Sequence, residues 1–158
     1  MIVTATIISL IVITLLSITS VLLALRAKKN KLPLIWDIPG CPTEVSKPWG
    51  KEVIWAVTDK YVGKVLHINA GHQLSKQYHM VKDESIFILS GRMNLELEWD
   101  KSNMTVPMNT GDCIRIPTGV IHRMIALSDC QVAEVSTPEL SDVVRLEDSY
   151  GRAPSAVL

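Results

Sequence analysis

Residues 71–91 read GHQLSKQYHMVKDESIFILSG and hold three side chains of metal-ligating type at a fixed spacing. Gly71 is followed by five residues and Gln77, one residue and His79, four residues and Glu84, then six residues and Gly91. Gln77 and His79 are two apart, so a β-strand there turns both toward one face. Glu84 opens the apolar run Ser85-Ile86-Phe87-Ile88-Leu89 and can return to the same point across a hairpin. Downstream, residues 111–123, GDCIRIPTGVIHR, set Gly111, Pro117 and Gly119 around a short strand that delivers His122. Two neutral imidazoles, a carboxylate and an amide oxygen suit one divalent ion, Zn first and then Mn, Fe, Co or Ni, better than a soft thiolate metal. His67 and His72 fall outside this spacing, and His72, beside a turn glycine, is expected to be solvated.

Around this stretch the chain is a succession of short apolar or alternating runs separated by turn residues: 53–57, 61–68, 85–89, 92–99, 113–116, 121–127 and 131–135. Asn94-Leu95-Glu96-Leu97-Glu98-Trp99 alternates as a strand with one wet face should, and residues 100–103 supply its turn. Many short strands with Gly and Pro turns predict an all-β sandwich or barrel. Cys41, Cys113 and Cys130 are an odd, widely spaced set with no CxxC, which suggests neither a disulfide framework nor a cysteine metal site. Cys113 and Cys130 lie in apolar strand contexts and are expected in the core. The 16 basic and 16 acidic residues cancel, so nothing electrostatic argues for nucleic acid as a partner.

The N-terminus differs in character. Residues 2–25 carry no charge, and Arg26, Lys28, Lys29 and Lys31 follow directly. Such a run matches the roughly 20 residues a helix needs to cross a bilayer. With its basic cluster after the apolar run, it reads as an uncleaved single-pass membrane anchor with the following domain on the cytoplasmic side. The expected organisation is a transmembrane α-helix with basic flank over 1–31, a Pro-rich linker or arm over 32–45, the β domain over 46–152 and a tail over 153–158.

The two glycine-framed stretches resemble the paired motifs of the cupin superfamily, with Gln77 where many cupins have a first His. Leu74-Ser75-Lys76-Gln77-Tyr78-His79, Lys47-Pro48-Trp49-Gly50, and the residues from Val144 to Arg152 are similar to the small cupin domain of type II mannose-6-phosphate isomerases. That domain also forms the C-terminus of bifunctional mannose-6-phosphate isomerase/GDP-mannose pyrophosphorylases. The resemblance implies a double-stranded β-helix, the jelly-roll relative. It implies a metal held by Gln77, His79, Glu84 and His122, and a small-molecule sugar phosphate as ligand; cupins commonly pair through outer strands, so it also implies a homodimer.

Aldose/ketose interconversion needs a Lewis acid, a base and a cationic pocket for phosphate. Arg123, Arg145, Arg152 and Lys82 are the candidate phosphate ligands, with Lys64 in support. Glu134, an ionisable residue in an apolar strand, is the first candidate base, followed by His67 and Lys64. A non-catalytic sugar-phosphate or nucleotide-sugar binding cupin at a membrane is the alternative, and a metal-dependent cupin oxygenase a third.

Overall fold

The computed structural model describes residues 42–152. The expected anchor, all but the end of the linker, and the tail lie outside them. Eleven strands and no helix form among the described residues, none of which therefore provides a helix long and apolar enough to cross a membrane. They are β1 (Thr43–Lys47), β2 (Gly50–Val57), β3 (Val62–Ile68), β4 (Lys76–Tyr78), β5 (Glu84–Ser90), β6 (Arg92–Trp99), β7 (Ser102–Asn109), β8 (Cys113–Ile116), β9 (Ile121–Ala126), β10 (Cys130–Ser136) and β11 (Val144–Glu147).

Two antiparallel sheets form, a six-stranded one ordered β1-β2-β3-β10-β5-β8 and a five-stranded one ordered β11-β4-β9-β6-β7. From β3 onward the chain crosses from sheet to sheet at nearly every step, interrupted only by the β6–β7 hairpin. This is the all-β, cupin-like architecture expected. The hairpin turns through Asp100 and Lys101, whose φ of 48° and 64° are the left-handed values of a two-residue turn that follows strand twist.

Period-2 alternation decides what lies between the sheets. In β5, Ile86 and Ile88 are buried while Phe87 and Leu89 point out; in β9, His122, Met124 and Ala126 point in. Trp49, Leu66, Met93, Leu95 and Val132 complete the core with them. Each fully buried side chain of this size stabilises the fold by about 1.5–3 kcal/mol.

Three expectations change. β7 forms where the sequence suggests only the turn at 100–103, and its Pro107 is tolerated because β7 is a sheet edge. Cys113 is exposed rather than in the core, because β8 turns Cys113 and Arg115 outward when it buries Ile116. His72 is half-buried rather than solvated; its ring stacks on Tyr150, with Nδ1 3.1 Å from the phenol oxygen. β1 overlaps the end of the segment expected to be linker.

Candidate metal centre

His79 follows β4 directly, His122 lies on the neighbouring β9, and Glu84 opens β5 in the other sheet. One nitrogen of each imidazole and a carboxylate oxygen of Glu84 all lie within 4.8 Å of one another. Glu84 approaches His122 Nε2 at 3.2 Å and His79 Nε2 at 3.6 Å. All three side chains are only 2% exposed.

The ring nitrogens on the far side are committed. His79 Nδ1 bonds the backbone carbonyl of Asp142, and His122 Nδ1 bonds that of Val120 at 3.0 Å. A neutral imidazole that donates through Nδ1 keeps its lone pair on Nε2. Both Nε2 atoms are buried without a hydrogen-bond partner. Two orphaned lone pairs facing one carboxylate cost stability unless something fills the gap. A divalent cation fits that donor set, and carbonyl bonds of this kind orient metal-binding histidines.

Electrostatics around the cluster agree. Burial, reinforced by the Lys82 ammonium, holds the His79 imidazole below its ordinary value. Burial alone would push the Glu84 carboxyl up, but the Lys82 ammonium in contact with it opposes this, and the carboxyl is held well below the usual carboxylate range. Lys82 is in turn kept charged: burial opposes its charge, and Glu134 and Glu84 together override that. Both metal-facing groups are thus in their ligand forms at neutral pH.

A stability change with pH follows. Since the folded chain binds a proton at His79 less readily than the unfolded chain, acidification through the ordinary value of 6.5 favours unfolding. The metal-free protein is expected to lose stability as pH falls from 6.5 toward the folded value, measured as urea midpoints. His79→Leu should flatten that slope; an unchanged slope would contradict the assignment.

The structure joins some of the other candidates to this cluster. Lys82 Nζ contacts Glu84 and lies 2.8 Å from Glu134 Oε1, which is 3.4 Å from Lys64 Nζ. Lys64, Lys82 and Glu134 thus form a buried ladder of alternating charge running inward from the metal ligands. Gln77 pairs in register with His122 and shares its face, with its Oε1 accepting the Ser75 hydroxyl at 2.7 Å. Arg145 is the register partner of Gln77, and its buried Nε has no hydrogen-bond partner. Residues opposite one another in a ladder share a face, so Arg145, Gln77 and His122 form one inward row.

Other candidates sit elsewhere. His67 is on the face of β3 opposite Lys64 and lines a separate cavity of about 490 Å³ with Glu44, Lys51 and Asp129. Arg123 points outward from β9 and is paired with Glu96 at 2.7 Å and Glu147 at 3.0 Å. Arg152 binds Asp148 and lies over the Tyr150 ring. Sequence reading misses Asp142 altogether, since the amides it binds lie about 60 positions upstream.

Residues 64–136 match the cupin domain family. The chain is 31% identical over 114 residues to mannose-1-phosphate guanylyltransferase of Escherichia coli K12, and 30% identical over 114 residues to mannose-1-phosphate guanylyltransferase ManC of Salmonella typhimurium. Each alignment covers 69% of this chain but 23% of the relative, so the chain spans about a quarter of the length of these curated proteins. Among solved structures, KdgF from Halomonas superposes with a TM-score of 0.54 at 21% identity, over 63% of this chain and 88% of that one. The capsular polysaccharide assembling protein CapF of Staphylococcus aureus gives 0.56 at 17% identity, over 72% of this chain and 34% of that one. The structural likenesses concern the fold alone, and the cupin family match lies wholly within the described residues.

Proposed function

We propose that this cupin domain is a metal-dependent sugar-phosphate isomerase of the mannose-6-phosphate type, interconverting aldose and ketose through an enediol. The observation that carries this is one inward row holding two kinds of unpaired buried group. His122, with His79 and Glu84, offers lone pairs for a cation; Arg145, across Gln77 from it, offers a donor for an anion. Similarity to enzymes named for mannose 1-phosphate adds a sugar-phosphate context.

His79, Glu84 and His122 would hold the metal, with Gln77 adjoining them, and a bound divalent ion would supply Lewis-acid polarisation of a sugar carbonyl. Arg145 presents a planar donor suited to a phosphate oxygen. Lys64, Lys82 and Arg145 balance Glu84, Glu134 and Asp142 around the site, so a bound divalent ion would make it net positive. A cavity of that sign selects an anionic ligand. Glu134 is the carboxylate placed to shuttle a proton, with Lys82 and Lys64 stabilising its charge.

That same pairing favours a second reading. Glu134 is committed to two ammonium groups within a buried ladder, an arrangement that a non-catalytic sugar-phosphate binding domain would keep as a structural ion-pair network. The deciding experiment incubates the full-length chain, loaded separately with Zn, Mn, Co, Ni or Fe(II), with fructose 6-phosphate in heavy water and follows it by NMR. Mannose 6-phosphate formed with at least one metal and lost in His79→Ala is the expected result. A folded, metal-loaded protein giving neither product nor proton exchange would replace the isomerase with the binding module. The uncharged run over residues 2–25 supports tethering at the cytoplasmic face of a membrane, which protease protection of the domain would test.

A further inference from the structure

The segment between β10 and β11 touches the metal ligands at a point the chemistry does not use. Asp142 accepts, through its carboxylate, the backbone N–H groups of Met80 at 3.0 Å, Val81 at 2.7 Å and Lys82 at 2.8 Å. Its own backbone carbonyl accepts from His79 Nδ1. Residues 80–83 are the whole connection between His79 and Glu84. A single residue therefore grips both the ring of one metal ligand and the loop joining it to the next.

Three successive amides converging on one carboxylate form a nest, a geometry that holds an anion firmly. Burial raises the Asp142 carboxyl, and the three amides more than reverse this, so the carboxylate stays charged. The same loop is held from the opposite side, where Gly119 N–H donates to the His79 carbonyl at 2.9 Å and the Thr118 hydroxyl donates to that of Val81 at 2.9 Å. With this support on one flank, Asp142 joins the β11–β4 pairing in tying the C-terminal segment to the other.

We infer that Asp142 is a positioning residue that couples docking of residues 138–147 to metal binding, by fixing the tautomer and aim of His79 and the spacing of His79 to Glu84. It rests on the metal-centre reading above. Coupling of this kind is reciprocal: what docking adds to metal affinity, metal adds to docking. The loaded protein holds its C-terminal segment more tightly than the metal-free one.

The test compares full-length wild type with Asp142→Ala, Asp142→Asn and Asp148→Ala; Asp148 ties Arg152 and Tyr150 just beyond that segment and makes no hydrogen bond to the 80–83 loop. In the metal-free protein, nitrogen NMR of the His79 ring should show hydrogen on Nδ1 in wild type and a mixture in Asp142→Ala, where loss of the three amide bonds frees the backbone that carries the accepting carbonyl. Titration with Zn or Co(II) should show roughly 10–100-fold weaker binding in Asp142→Ala, the range for loss of an outer partner. Asp142→Asn should fall between, and Asp148→Ala should match wild type. Hydrogen exchange over residues 138–147 should slow on adding metal to wild type and not to Asp142→Ala. An Asp142→Ala protein, or Asp142→Asn should alanine not fold, with wild-type tautomer and affinity would overturn the coupling. If wild type binds no metal but the tautomer still shifts in the variant, the metal reading fails and the positioning role stands.

Discussion

Replacing Glu84 by alanine is expected to abolish metal binding and to destabilise the fold by about 3–5 kcal/mol, the range for stranding one partner of a buried ion pair. Lys82 contacts Glu84 on one side and Glu134 on the other, both buried. Without Glu84, two ammonium groups share the single carboxylate of Glu134. The loss of metal and the loss of stability have different causes, and a double variant separates them. Glu84→Ala with Lys82→Met removes the stranded charge and should recover most of the stability, yet leave metal affinity reduced by more than about 100-fold, beyond the cost of an outer partner. Denaturant unfolding and calorimetric metal titration, run on both variants, give the two readouts. Recovery of metal binding in the double variant would show that Glu84 is not a ligand.

The second large effect has the opposite sign on stability. Arg145→Met should weaken binding of a phosphate-bearing sugar by about 10–100-fold, the worth of a charged hydrogen bond, while binding of the neutral sugar and of metal stays unchanged. At the same time the metal-free protein should become no less stable, and more stable by about 1 kcal/mol if the orphaned Nε is the dominant cost. A residue that costs stability and contributes binding is the mark of a functional position. Arg145→Lys should not restore affinity, because an ammonium lacks the planar fork. Equal losses for phosphorylated and unphosphorylated sugars would remove Arg145 from the anion site.

The metal ligands were legible because spacing, residue type and strand period all act locally. Gln77 and His79 share a face by periodicity alone, and Glu134 stands out as a charge in an apolar run. Strand pairing, by contrast, brings in partners from far along the chain. Arg145 becomes interesting only when β11 is placed against β4 in register with Gln77. Lys82 reads in the sequence as a candidate phosphate ligand, yet it is buried between Glu84 and Glu134 by the turn that returns the chain to Glu84. Cys113 was legible in principle: Arg115, two residues on, belongs outside, and so must whatever shares its face. β7 hides because an edge strand needs only one apolar face, and half its residues are polar and most are exposed.

The ligands come from both sheets, His79 and His122 from one side of the sandwich and Glu84 from the other. An ion bound there acts as a rivet through the two layers, joining positions separated by about 40 residues of chain. Heat resistance then becomes a property of the solution as well as of the polypeptide. Because the unfolded chain presents no such site, the melting temperature climbs with the logarithm of free metal concentration once the site is saturated, and a chelator returns the two layers to what their own packing can hold.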